Sequence, residues 1–183
     1  MRFARNAMKQ TAYQGKYLRI IHEDQWEYVQ RCNCTGIVVI ACETGDGKYI
    51  LVEQFRKPVG KHVIEWPAGL VNDLEHIQEE TLETAALREL EEETGYRAKT
   101  VEHQITGPVS SGLSSDSLTF FTATGLQKIS QGGGDETENI TVHEVPANGI
   151  DAWLEEIQKQ GRLVDPKVYA GIYFLKKFKI KNS

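Results

Sequence analysis

The sequence predicts an α/β (α+β) fold: a mixed β-sheet sandwiched between helices, with an N-terminal β-strand arm. Three observations predict it. β-prone runs fill the first half of the chain. A single helical pattern, from about Thr81 to Thr94, interrupts them before strands resume. Two more helical patterns then close the chain, an alternation that buries a sheet under helices. A length of 183 residues suits one globular domain with a modest extension. The reading divides the chain into an arm over 1–34 and a main domain over 35–183.

Tyr17 to Ile21 and Trp26 to Arg31 are β-prone runs separated by the polar His22-Glu23-Asp24-Gln25. Gly36 to Cys42 is a nearly continuous apolar run, as in a strand buried on both faces. Thr44-Gly45-Asp46-Gly47 supplies turn chemistry and Lys48 to Phe55 follows, so these two strands are expected to pair as a hairpin. His62 to Trp66 is a further strand, stopped by Pro67. In the helical segment Leu82, Ala85, Ala86 and Leu90 form an apolar stripe, and Gly95 suits the position just past the end. Asn72 with Glu75 three residues on has capping-box spacing, which would start the helix earlier. Strands are expected at Thr100 to Thr106, Ser117 to Thr124 and Asn139 to Val145. Ile150, Trp153, Leu154 and Ile157, then Val168, Ile172, Leu175 and Phe178, mark the closing helices.

Acidic residues outnumber basic ones, 26 against 21, for a formal charge of −5. No basic stripe dominates, which argues against nucleic acid as a partner. No run approaches the ~20 apolar residues of a membrane span, and the first ten residues lack an apolar signal region. Cys32, Cys34 and Cys42 form no disulfide framework or metal-binding pattern and read as ordinary thiols, consistent with the cytoplasm.

The informative segment is Arg88-Glu89-Leu90-Glu91-Glu92-Glu93-Thr94-Gly95-Tyr96. On a helix Glu89, Glu92 and Glu93 share one face, and packing like charges there costs a few tenths of a kcal/mol per pair. A cation among them removes the repulsion, and hard oxygen donors suit Mg²⁺ completed by a substrate phosphate. Taken alone, such a run is more often a solvated acidic face. Its surroundings reverse that reading: Glu80 lies eight residues before Arg88, and Tyr96 supplies the bulky residue after the glycine. Together these match R-E-U-x-E-E-x-G-U, U being a bulky apolar residue, and its upstream glutamate. The chain therefore resembles the Nudix hydrolase superfamily. The glycine that opens this Nudix box is not at Leu74, where the spacing would put it. Its counterpart is Gly69, followed by about five extra residues.

Outside the box, roughly Tyr17 to Lys176 resembles the ADP-sugar pyrophosphatase branch, which includes ADP-ribose pyrophosphatases. Gln54-Phe55-Arg56-Lys57-Pro58, Glu65-Trp66-Pro67-Ala68-Gly69, Ser111-Gly112-Leu113-Ser114 and Val164-Asp165-Pro166-Lys167-Val168-Tyr169 carry the likeness. The resemblance implies that the Ala68 carbonyl with Glu89 and Glu93 holds Mg²⁺, Mn²⁺ being the possible substitute, and that Glu92 completes the cluster for further ions. Arg88 is implied as a structural partner of a box carboxylate, and Glu91 as a solvated variable position. Arg56 would meet a phosphate or the terminal ribose, with Glu65 and Leu113 also at the substrate. Trp26 would stack on the nucleobase, helped by Glu27 and Arg31. That arm reaches a neighbouring subunit in such enzymes, implying a homodimer. The base for the attacking water would be Glu138, or else Glu136, and Gly132-Gly133-Gly134 before them would let that loop close over substrate. The implied function is Mg-dependent cleavage of a nucleoside diphosphate sugar, ADP-ribose first. GDP-mannose or another such sugar, a nucleoside triphosphate, and a non-catalytic ADP-ribose-binding module are the alternatives.

Overall fold

The computed structural model describes residues 9–72, 79–134 and 139–182. Three strands, β1 (Gln10–Gln14), β2 (Leu18–Glu23) and β3 (Trp26–Arg31), form an antiparallel meander of their own. Of its larger apolar side chains only Ile21 is fully buried, whereas Tyr13, Leu18, Ile20 and Trp26 are exposed.

The other strands are β4 (Gly36–Cys42), β5 (Lys48–Arg56), β6 (Lys61–Glu65), β7 (Ala68–Val71), β8 (Tyr96–Arg97), β9 (Thr100–Pro108), β10 (Ser117–Thr124), β11 (Gln127–Lys128), β12 (Ile140–Pro146) and β13 (Leu163–Val164). The helices are α1 (Leu82–Thr94), α2 (Ile150–Lys159) and α3 (Pro166–Asn182). The strands divide between two four-stranded sheets, β7-β4-β10-β9 and β12-β5-β6-β13, with β8 and β11 as a small ribbon. Each large sheet is mixed: β4 runs parallel to β10, and β6 parallel to β13, while their other pairs are antiparallel. Helix α1 packs on β7 and β4, α2 on β12 and β13, and α3 on β4, β10 and β6. The fold class is the expected one.

The expected β4–β5 hairpin is corrected. The turn forms, with Thr44 N–H donating to the Lys48 carbonyl at 2.9 Å and a single bridge between Glu43 and Tyr49. Beyond it the two strands part into different sheets, because β7 and β10 hold both edges of β4 while β12 and β6 hold both edges of β5. Val38 to Cys42 and Ile50 to Leu51 are all at most 1% exposed. A continuous apolar run reports two buried faces and says nothing about which strand occupies an edge.

Helix α1 begins at Leu82, not near Asn72. Thr81 is its N-cap, its hydroxyl accepting from Thr84 N–H at 3.2 Å. Asn72 has φ 59°, accepts from Glu80 N–H at 2.6 Å and donates to the Thr35 hydroxyl at 2.8 Å. It therefore ties the end of β7 to Glu80, just before the helix cap, and Glu75 lies outside the described residues. Ala85, Ala86 and Leu90 are buried in the core. At the centre, Trp66 is 1% exposed, meets Tyr49 edge-on at 5.8 Å and donates its indole N–H to the Val168 carbonyl at 3.1 Å. That bond ties α3 to the segment joining β6 and β7. No described helix is long and apolar enough to cross a membrane.

Candidate active site

One side of α1 buries two carboxylates under strand β7. Glu89 is 9% exposed and Glu93 3%. The Ala68 N–H donates to Glu93 Oε2 at 3.1 Å. A β-carbon added to Gly69 would stand 1.9 Å from the Glu89 carboxyl carbon, so Glu89 holds this position against the strand only where that residue is glycine. Glu92 keeps half of its side chain exposed. Glu91 faces away and is forked by Arg97 at 2.8 and 2.9 Å, so it stands apart from the others.

Arg88 organises this group. Its guanidinium donates to both Glu80 oxygens at 2.8 and 3.1 Å, to the Leu70 carbonyl at 3.1 Å, to Glu89 at 2.8 Å and to Glu92 at 3.0 Å. The Glu80 side chain is 1% exposed, and the Arg88 hydrogen bonds hold its carboxyl below the usual range against the opposing effect of burial. The same bonds raise the Arg88 pKa. Among the described residues, no three acidic, histidine or cysteine side chains converge closely enough to hold an ion. The reason is visible: one Arg88 nitrogen lies between Glu89 and Glu92, and Glu93 is turned to the strand. The donor set still fits a hard divalent cation, since two buried carboxylates and a third at the rim share this end of the cleft, and a cation can replace the guanidinium between them.

In front of these carboxylates lies a cavity of about 430 Å³, lined among others by Arg31, Arg56, Glu65, Ala68, Glu89 and Lys167. Each of the three cations that line it is already matched to a carboxylate. Arg56 pairs with Glu65 at 2.6 Å, Arg31 with Asp116 at 3.3 Å, and Lys167 with Asp165. The arrangement can orient an anion but brings little net positive charge of its own. Lys167 and Asp116 are site residues that sequence reasoning missed. The signal for Lys167 was its place at the start of the last helix, inside a segment that carried the family likeness.

The comparisons with known proteins agree with this geometry. Residues 33–160 match the NUDIX domain family. The chain belongs to the Nudix family. It is 34% identical over 76% of its length to a methanol dehydrogenase activator of Bacillus methanolicus, spanning 71% of that protein. It is 38% identical over 60% of its length to an ADP-ribose pyrophosphatase of Bacillus subtilis (strain 168), and 38% over 66% to an ADP-sugar pyrophosphatase of Mus musculus. The chain spans 57% and 56% of the lengths of those two relatives. Its fold is similar to the crystal structure of an ADP compounds hydrolase, with a TM-score of 0.72 at 17% identity, covering 96% of this chain and 94% of that one. Nudix hydrolases generally act with divalent metal ions.

The Nudix box residues thus gather on α1 and β7, but the other expected contacts do not all join them. Trp26 is 60% exposed and faces a separate hollow of about 400 Å³, shared with Tyr28 and the loop at Ser111 to Ser115. Alternation along β3 puts Trp26 and Tyr28 on one face and Glu27 and Arg31 on the other. Within one chain Trp26 and Arg31 line different spaces, Trp26 the hollow beside Tyr28 and Arg31 the charged cavity. Leu113 is 61% exposed, and it is its carbonyl that accepts from Val29 N–H at 2.8 Å. Glu136 and Glu138 lie outside the described residues. Gly132-Gly133-Gly134, expected to give their loop freedom, is instead fastened to the Nudix helix. Gly133 N–H donates to the Glu93 carbonyl at 2.8 Å and Gly134 N–H to that of Glu92 at 3.1 Å, satisfying two carbonyls left over at the helix end. All three glycines have positive φ, between 67° and 115°.

Proposed function

We propose that this Nudix protein hydrolyses the diphosphate bridge of nucleoside diphosphate sugars, ADP-ribose foremost, to a nucleoside monophosphate and a sugar phosphate. The observation that carries the reading is the pair of buried carboxylates, Glu89 lining a cleft with arginines on its walls beside Gly69 and Glu93 just behind it on Ala68. The names of the Bacillus subtilis and Mus musculus relatives, an ADP-ribose and an ADP-sugar pyrophosphatase, support it.

Glu89, Glu92 and Glu93, with the Ala68 carbonyl, would hold Mg²⁺, or Mn²⁺ in its place. Such ions neutralise the diphosphate and lower the pKa of a bound water. The chain's own residues do the rest. Arg56, released from Glu65 by a competing phosphate, clamps one phosphoryl group through its planar fork. Arg31, balanced by Asp116, lines the same cleft and is assigned with Glu27 to the nucleobase end. Glu138, with Glu136 as the alternative, accepts the proton of the attacking water as its oxygen bonds to phosphorus and the anhydride P–O bond breaks. Arg88 keeps its fork on Glu80 rather than touching substrate, and yields its place between Glu89 and Glu92 to the cation.

Trp26 is assigned to the nucleobase in the cleft of a neighbouring subunit, because in its own chain it faces away from the 430 Å³ cavity. That reading takes the protein as a homodimer whose arm, 1–34, serves the domain over 35–183 of its partner. It works in the cytoplasm, with neither nucleic acid nor membrane as partner.

Phosphate release coupled to a phosphatase, across ADP-ribose, GDP-mannose, ADP-glucose and a deoxynucleoside triphosphate, with and without Mg²⁺, tests the reading. Metal-dependent release from a sugar nucleotide supports it, and the fastest substrate fixes the base and sugar. Tight binding of ADP-ribose without release makes the protein a sensor instead.

A further inference from the structure

A further hollow lies away from the cleft, where the β4–β5 turn meets the end of α3. It measures about 450 Å³ and is lined among others by Glu43, Asp46, Ala123, Leu175, Phe178 and Lys179. Val39 on β4 lines the charged cavity, and Glu43 follows four residues on, about 13 Å along an extended strand. No lining residue is shared by the two spaces. The Glu43 side chain is 9% exposed, and Lys179 Nζ donates to its Oε1 at 2.6 Å. The other carboxylate oxygen, Oε2, is buried without a hydrogen-bond partner. A carboxylate oxygen taken out of water and left unpaired is costly. Lys179 comes to Glu43 from the solvent side, its own side chain 58% exposed. Asp46 adds a second negative charge, held by the Thr44 hydroxyl and by Lys48 at 3.1 Å. Facing these acids, Ala123, Leu175 and Phe178 supply an apolar wall.

We propose that this hollow binds a small molecule carrying a guanidinium group on a short hydrocarbon stem, and that the guanidinium takes the place of the Lys179 ammonium on Glu43. An ammonium is a compact, strongly hydrated charge, and Lys179 returns to water at little cost. A guanidinium is planar and weakly hydrated, and its parallel N–H bonds match both oxygens of one carboxylate. The exchange therefore gives Oε2 the donor it lacks. The stem covers the wall of Ala123, Leu175 and Phe178, and the hollow has the size of a small-molecule pocket. A neutral head group is excluded, because it would leave the buried Glu43 charge uncompensated once Lys179 has moved away. The site is independent of the diphosphate chemistry proposed for the cleft.

Butylguanidine, butylamine and butylurea share one stem and differ only in the head group, so they isolate its contribution. Each is titrated into the isotope-labelled full chain with Mg²⁺ present, and amide shifts in NMR spectra give both the dissociation constant and the place of binding. Butylguanidine is expected to move the amides of Gly45, Gly47 and Lys179, and to bind at least about fivefold more tightly than the amine or the urea. Lys179→Ala removes the competing ammonium and should tighten binding at least about threefold, whereas Glu43→Gln should weaken it at least about tenfold. Thermal unfolding checks that each variant is folded. Lys179 is mostly exposed, so its variant keeps the test standing should Glu43→Gln fail to fold. Four results overturn the inference: no shift at those amides up to about 50 mM butylguanidine, equal affinity for all head groups, shifts centred on Gly69 and α1, or a Lys179→Ala protein that binds no more tightly than the parent.

Discussion

Replacing Gly69 with alanine tests the tightest contact in the site. The new β-carbon would lie 1.9 Å from the Glu89 carboxyl carbon and 2.0 and 2.4 Å from its two oxygens. Unbonded carbon atoms rest about 3.5–4.0 Å apart, so one side must give by roughly 1.5 Å. The strand cannot, because Ala68, Gly69 and Leu70 are in register with Val39, Val38 and Ile37 of the central strand. The Glu89 side chain must therefore swing away, losing its 2.8 Å bond from Arg88. The stability cost is that of one charged hydrogen bond, about 1–3 kcal/mol. The catalytic cost is larger, since misplacing a group by about 1 Å can lower the rate on the order of 10²-fold. The assay is phosphate release from ADP-ribose over a Mg²⁺ titration, with thermal unfolding alongside. Gly149→Ala is the control, because a β-carbon there meets nothing within 4 Å. A folded Gly69→Ala protein with activity within about threefold of the parent, at the same Mg²⁺ requirement, would refute the argument that β7 and Glu89 are held together for catalysis.

Arg88→Ala should destabilise the fold by about 3–5 kcal/mol in urea unfolding, because it leaves the Glu80 carboxylate, 1% exposed, without its partner; a loss under about 1 kcal/mol would show that Glu80 is stabilised elsewhere. Glu92→Gln should stay within about 0.5 kcal/mol of the parent, its side chain being half exposed, yet lose turnover; retained turnover removes Glu92 from the metal cluster. Hydrogen bonds from Lys128 and Tyr96 hold the Glu144 carboxyl down at about 2, from an ordinary 4.5. Its contribution to stability is complete above 4.5 and fades as the pH falls through that interval, so melting temperatures should drop with acid and Glu144→Gln should flatten the drop. An unchanged acid profile in that variant would assign the loss to other carboxylates.

Much of this was legible in the sequence where local pattern decides. β3, β4 and β10 begin and end as the runs of residues do, and Gly95 ends α1 with φ 73°. Gly69, identified as the displaced box glycine despite the five-residue spacing error, does lie against Glu89. What stayed hidden depends on neighbours distant in sequence. The Gly36–Cys42 and Lys48–Arg56 strands look like a hairpin because only the turn between them is local, whereas their edges are filled by β7, β10, β12 and β6. Lys167 comes to the cleft from α3, and Asp116 meets its wall only through Arg31, contacts that only the fold creates. The early helix start failed because the Asn72 side chain bonds to Glu80 N–H eight residues on, a contact no capping rule covers.

The attachment of Gly132-Gly133-Gly134 to the end of α1 is built from main-chain atoms alone, and this changes how mutational scanning of the region should be read. Alanine at Gly132 removes nothing; it adds an atom 2.3 Å from the Thr94 carbonyl carbon. A loss of activity there would report collision with the helix that carries Glu92 and Glu93, not a missing hinge. The variable left to evolution and to the engineer is spacing. Five residues, 135–139, join Gly134 to Ile140, whose pairing with Gln54 fixes the far end. Each deletion between those points shortens the available reach by about 3.5 Å, so the proposed role of Glu136 or Glu138 predicts that activity falls with chain length in that interval.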